Sequence, residues 1–347
     1  MPTSVSDAKK SAKPLDARHP VHKRIAVLFP GQGSQSVGML CELNEQYPQV
    51  ATTFAEASDA LGEDLWAICQ DEHKLNQTEY TQPALLTASM AIWRILQDAL
   101  HWHPAVDDKS THHPVFLAGH SLGEYSALCD GGAISLAEAV QLVHQRGKLM
   151  VDAVQNVSSK MLAVLGLDDQ QVISLCEQAE SQYDEAVVSV ANFNSPSQVV
   201  VAGNMVCVDA VQSLVASMGK RAVPLKVSVP SHCALMPPAS DDLAKPLTAR
   251  RTLTLPHIEV IQNRHAKIEH TLPELKTALI EQLHHPVLWT QTMQSLADKH
   301  VTMLVECGAG TVLSNLAKRQ TTPITCLPTD KPDRLTKVIT SIKEANT

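Results

Sequence analysis

The chain has 347 residues, 44% hydrophobic and 18% charged, enough to bury one large core or two smaller ones. A formal charge of −8 excludes a general nucleic-acid binder, which needs a cationic surface for phosphates. No run of about 18 apolar residues offers a membrane-spanning helix, and the eight cysteines form neither a C-x-x-C pair nor a metal-ligand spacing, so they read as small buried apolar side chains in a reducing compartment.

Residues 1–23 carry Lys9, Lys10, Lys13 and Arg18 among Ser, Ala and Pro, without the apolar centre of a secretory signal; they read as a disordered lead-in. Ile25–Phe29 is a short apolar run stopped by Pro30 and Gly31, the pattern of a buried strand. The loop that follows, LFPGQGSQSVGM over residues 28–39, nearly fits two phosphate cradles and fails both. A dinucleotide loop needs glycine where Ser36 stands, and a Walker A loop needs lysine where Met39 stands. Gln82-Pro83 opens an apolar-periodic helix through Leu100, with Pro at a first helical position. His101, His103, His112 and His113 gather around Pro104 and Asp107-Asp108, where a polar loop is expected rather than a metal centre. Residues 115–118 are a second short apolar run, so strands alternate with longer helices and the class is α/β with a largely parallel sheet.

The middle of the chain changes rhythm. Residues 161–165 read as a strand and 169–179 as a helix with an acidic start. Residues 187–191 and 198–202 read as strands joined by the turn-rich Asn-Ser-Pro-Ser. Asn204 caps a helix through Met218, and 221–227 return as a strand. That order, β-α-β-β-α-β, is the ferredoxin-like motif, expected here as a subdomain over 157–228 inserted between the two parts of the larger domain, 24–156 and 229–347. The larger domain resumes with a strand over 302–306, a turn at Gly308–Gly310 and a helix through Lys318.

Gly119-His120-Ser121-Leu122-Gly123 is G-x-S-x-G between a strand and a helix, the context a nucleophile elbow requires. The Leu122 N–H, at the start of the new helix, could donate to a developing oxyanion. A serine nucleophile needs a base, and the downstream candidates are His232, His257, His265, His270, His284, His285 and His300. His232 in SVPSHCALM is attractive because it follows the last strand of the insert. Ser135 and Glu138 form a capping box for a helix to about Met150. Arg146 falls in the middle of its apolar face, among Ala139, Leu142, Val143, Leu149 and Met150, while Gln141, His144 and Lys148 point away. A guanidinium facing a core needs an anion, which is either an internal carboxylate or the carboxylate of a substrate.

Several segments in order, FPGQGSQSVGML, YTQPALLTAS, GHSLGEYSAL, RGKLM, NFNSPSQVV, VSVPSHCALM and QLHHPVLWT, resemble the malonyl-CoA:acyl carrier protein transacylases of dissociated fatty acid synthesis, from about Ile25 to Leu327. The resemblance implies an α/β-hydrolase-like core with a ferredoxin-like insert and a site in the cleft between them. It implies Ser121 as nucleophile, His232 as base, the backbone N–H groups of Gln32 and Leu122 as oxyanion hole, and Arg146 as clamp for the malonyl carboxylate. The backbone carbonyl of Gln282 would orient His232 in place of an acid. No metal or cofactor is implied; malonyl-CoA and phosphopantetheinylated carrier protein are the substrates, and a monomeric cytoplasmic enzyme is expected. Lys220, Arg221, Arg264, Lys318 and Arg319 are candidates for docking the acidic carrier. The chain departs from the family in His284-His285 before Pro286, in Ala309 and in its first 23 residues. Rival readings are an acyltransferase for a polyketide or decarboxylase carrier, an editing thioesterase and a non-catalytic carrier-binding scaffold.

Overall fold

The computed structural model describes residues 23–102, 113–225, 227 and 229–344. Of the lead-in expected over 1–23, residues 1–22 lie outside them, as does the histidine loop carrying His103 and His112. Lys23 is held, its ammonium donating to the Ser341 carbonyl at 3.0 Å. Among the described residues ten strands form two sheets: β1 Ile25–Phe29, β2 Phe116–Gly119, β3 Ser159–Leu165, β4 Val188–Ser195, β5 Gln198–Asn204, β6 Arg221–Pro224, β7 Glu259–Gln262, β8 Lys267–Ile268, β9 Met303–Glu306 and β10 Cys326–Pro328.

The larger sheet runs β10-β9-β1-β2-β7-β8 and is parallel except for β8. Every residue of β1 and β2 is buried, because helices cover both faces of a parallel sheet and leave no side for polar alternation. The register sets Phe29 beside Gly119, so the loops after β1 and β2 leave the sheet side by side at its carboxyl ends. Such a crevice is where open α/β sheets bind ligands.

The smaller sheet, order β4-β5-β3-β6, is antiparallel throughout and carries the helices Asp169–Glu180 and Met205–Ser217. It is fastened to the larger unit along β4. The Phe193 N–H donates to the Val287 carbonyl at 3.0 Å, the Val287 N–H to Ala191 at 2.9 Å, and the Gln320 amide to Asn194 at 2.8 Å.

Several local expectations need correction. The helix expected from Gln82 spans Thr78–Leu100, with Pro83 inside it. Pro83 has no N–H for the Glu79 carbonyl, and His144 Nδ1 takes that acceptor at 2.9 Å, so the helix runs on. His144 is therefore half-buried against Tyr80 rather than pointing away. Asn204 precedes its helix but makes no side-chain cap, because its Oδ1 accepts the Val187 N–H at 2.8 Å. Asn194 and Ser195, expected in a turn, complete β4. Of the eight cysteines, six are buried and none is paired in a disulfide, as their scatter implied. Among the described residues no helix is long and apolar enough to cross a membrane.

Candidate active site

Ser121 lies between β2 and the helix Gly123–Asp130 with φ of 54°, a conformation that costs an L-residue energy and persists only where its neighbours enforce it. The enforcement is steric and polar. A Cβ on Gly119 would sit 1.8 Å from the Gly123 carbonyl carbon, and one on Gly123 2.0 Å from the Phe29 oxygen. Gly31 is bound by the same logic, since its Cβ would meet the His120 oxygen at 2.3 Å. The glycines of the first loop therefore let one backbone lie against another, which answers why the loop resembled a phosphate cradle without being one. Asn263 completes the elbow, donating to the Gly119 carbonyl at 2.6 Å and accepting the Ser121 N–H at 2.7 Å.

His232 is also left-handed, at φ 64°, and its backbone N–H is tied to the Leu283 carbonyl at 2.9 Å. Its Nε2 stands 2.7 Å from Ser121 Oγ and its Nδ1 2.7 Å from the Gln282 carbonyl oxygen. A carbonyl can only accept, so Nδ1 carries the proton and Nε2 offers its lone pair to the serine hydroxyl. Burial first, then the positive charge of Arg146, holds the imidazole pKa down to about 3, so the ring is neutral and ready to take a proton. Of the other candidates, His265 pairs with Glu269 at 3.0 Å, and the rings of His284 and His285 lie 4.3 Å apart. The His-His departure thus leaves the Gln282 carbonyl within bonding range of His232.

Arg146 is 1% exposed, on the helix Leu136–Asp152, with its guanidinium carbon 5.3 Å from the centre of the Tyr125 ring. Its Nη1 donates to Gln82 Oε1 and its Nη2 to Gln282 Oε1, both at 2.8 Å, while Nη2 lies 3.4 Å from Ser121 Oγ. Among the described residues no carboxylate lies within ion-pair distance of it, and Nε has no hydrogen-bond partner. Burial pulls its pKa down from the ordinary guanidinium value. No internal carboxylate among the described residues pairs with it directly; Glu124, the buried carboxylate that acts on it electrostatically, reaches it only through the Gln282 amide. What remains is a cation held by two neutral amides beside the nucleophile, with donors to spare for an anion.

Neither the Gln32 nor the Leu122 backbone N–H bonds to any described residue, although both line the cavity above Ser121. That cavity holds about 70 Å³ and is walled also by Arg146, Met150, Met161, Ser231 and His232. Through Gln32, His120, Asn192, Leu225 and Val227 it joins a groove of about 560 Å³ between the two sheets, a size typical of ligand sites. Arg319 stands on that groove, its guanidinium donating to Gln198 at 2.7 Å. Lys220, Arg221 and Lys318 are exposed outside it, and Arg264 is paired with Glu281 at 3.2 Å.

Sequence reasoning did not find Gln82, Glu124, Asn263 or the side chain of Gln282. Gln82 left only a weak signal, a polar residue at the start of a long apolar stretch and beside Thr78, Glu79 and Thr81. Glu124 had one too, three residues past the nucleophile on a helix that is buried throughout.

The family model for the acyl transferase domain matches residues 27–336. The malonyl CoA-acyl carrier protein transacylase of Salmonella typhimurium is 46% identical over 321 residues, covering 91% of this chain and 99% of its own. Among solved structures, FabD from Acinetobacter baumannii is similar with a TM-score of 0.87 and 47% identity, over 93% of this chain and 99% of that one. A malonyl-transacylase in complex with its type II PKS acyl-carrier protein is similar with a TM-score of 0.85 and 42% identity, over 92% of this chain and 99% of that one.

Proposed function

The chain belongs to the acyl transferase domain family, and from that premise we propose that it moves the malonyl group of malonyl-CoA to the phosphopantetheine thiol of an acyl carrier protein through a malonyl-Ser121 ester. The observation that carries this reading is Arg146, a buried cation with no directly paired carboxylate among the described residues, 3.4 Å from the Ser121 hydroxyl. A malonyl thioester brings the missing carboxylate to that point. An acetyl group would leave the cation unmet.

The steps follow from the atoms. His232 Nε2 takes the Ser121 proton as Oγ attacks the thioester carbonyl, and the Gln32 and Leu122 N–H groups receive the oxyanion. The intermediate collapses, the C–S bond breaks, and the imidazolium returns the proton to the departing CoA sulfur. In the second half the carrier thiol gives its proton to His232 and attacks the ester carbon. Ser121 Oγ leaves and is reprotonated. The Gln282 carbonyl steadies the imidazolium in both halves, so a dyad with a neutral acceptor suffices and no cofactor is called for.

The architecture supports the same reading. We take residues 24–156 and 229–347 as an α/β-hydrolase-like catalytic domain and 157–228 as a ferredoxin-like subdomain, on the grounds of the parallel sheet and the β4-β5-β3-β6 order. The groove between the sheets would receive the pantetheine arm, with Arg319 at its wall offered to the acidic carrier. We read the enzyme further as a cytoplasmic monomer supplying fatty acid elongation.

The test is an intact mass spectrum after brief mixing with malonyl-CoA, and again after adding holo carrier protein. A malonyl adduct that maps to Ser121 and then moves to the carrier is the expected result. Loss of the adduct to water faster than to the carrier would mark an editing hydrolase and overturn the reading.

A pH profile follows from the depressed imidazole. With its pKa held down to about 3, His232 stays unprotonated in the range where an ordinary histidine, near pH 6.5, takes up a proton and is lost as a base. In short stopped-flow exposures, kcat/KM for Ser121 acylation is expected to stay flat as pH falls from 8 to 5. An acid limb centred near 6.5 would mean that the imidazole is not held neutral.

A further inference from the structure

Glu124 is fully buried beneath the elbow. Its Oε2 accepts two hydrogen bonds, from the Asn263 N–H at 2.9 Å and from the Gln282 side-chain amide at 3.0 Å. The other hydrogen of that amide goes to the Ser121 carbonyl, also at 3.0 Å. Both amide hydrogens of Gln282 are thereby committed, and its Oε1 is left facing Arg146 Nη2 at 2.8 Å. The main-chain carbonyl of the same residue holds His232. One residue thus serves the clamp with its side chain and the base with its backbone.

We propose that Glu124 is a positioning residue that fixes which way the Gln282 amide faces, and so holds the Arg146 guanidinium in register with the Ser121–His232 dyad. The two ends of a glutamine amide have the same shape, so packing alone does not choose between them; hydrogen bonding does. An arginine only donates and a carboxylate oxygen accepts, and they stand at opposite ends of this amide. A flipped Gln282 would set its NH2 against the guanidinium and its oxygen against both Glu124 and the Ser121 carbonyl. Burial pushes the Glu124 carboxyl up to about 7. Its Oε1 has no hydrogen-bond partner, so a proton taken near neutral pH rests there and leaves Oε2 accepting. The requirement is therefore for an acceptor rather than for a charge.

The inference rests on the reading that Arg146 meets the acyl carboxylate. Its test compares malonyl-CoA with acetyl-CoA as donors to pantetheine, in full-length wild type, Glu124→Ala, Glu124→Gln and Gln282→Met. Glu124→Ala is expected to lower the ratio of malonyl to acetyl kcat/KM by roughly tenfold to a hundredfold, the range seen when an orienting partner is removed. Glu124→Gln, which keeps an oxygen where Oε2 was, is expected within roughly threefold of wild type for both donors. Gln282→Met keeps the carbonyl to His232 and removes the amide, so it should reproduce the loss of selectivity even if Glu124→Ala does not fold. Equal losses on both donors, damage by Glu124→Gln as large as by Glu124→Ala, or unchanged selectivity in Gln282→Met would each overturn the proposal. A wild type that does not load malonyl at all would instead sink the functional reading, and this inference with it.

Discussion

Replacing Ser121 by alanine is expected to slow malonyl transfer by about 10⁴-fold or more, and replacing His232 as well to cost almost nothing further. The reason is the single 2.7 Å contact between His232 Nε2 and Ser121 Oγ, through which the proposed base would do all its proton work. Without the hydroxyl there is no proton for the ring to take and no ester to form. Without the ring the hydroxyl stays a weak nucleophile, because among the described residues its one other hydrogen-bond partner, Arg146, only donates. What would survive in each variant is the pair of unengaged N–H groups of Gln32 and Leu122, the proposed oxyanion hole, which would polarise a bound thioester toward water or free thiol. Single-turnover rates with malonyl-CoA for the two single variants and the double variant decide the matter. Losses that multiply in the double variant would mean that His232 acts on something other than the serine proton.

Legibility in the sequence followed how local each feature is. The elbow was readable because its requirements fall within five residues: two glycines whose Cβ atoms would collide with backbone, and a serine forced to positive φ between a strand and a helix. Arg146 was readable because a helix wheel exposes a cation on an apolar face, although whether its anion was internal needed three dimensions. The base was not readable from residues alone. His232 stands 111 residues from Ser121; its place after the last strand of the insert favoured it, and the family resemblance was needed to choose it over the six other candidates. A backbone carbonyl such as that of Gln282 leaves no side-chain signature at all. Pro83 misled for a physical reason, since the rule that places proline at a first helical position assumes that no side chain will take up the abandoned carbonyl, and His144 does so from a neighbouring helix.

Arg146→Ala is expected to lower kcat/KM for malonyl-CoA by about 3 kcal/mol, which is roughly 150-fold, while acetyl transfer changes little or rises. A buried charge-assisted pair is strong because water cannot replace it once one partner is gone, and here the partner lost is the only cation beside the nucleophile among the described residues. The variant also leaves the Gln82 and Gln282 amide oxygens without their donor, so the malonyl carboxylate would meet acceptors instead of a fork. For acetyl the balance reverses. Its methyl group gains nothing from a guanidinium and no longer has to lie against one. The ester formed in the variant should leak to water faster, because the cation proposed to hold the acyl carboxylate is absent. Parallel assays with both donors, scored for transfer to carrier and for free malonate, separate these effects. An equal fall for malonyl and acetyl would place Arg146 in the service of the dyad alone and return the choice of acyl group to some other part of the cavity.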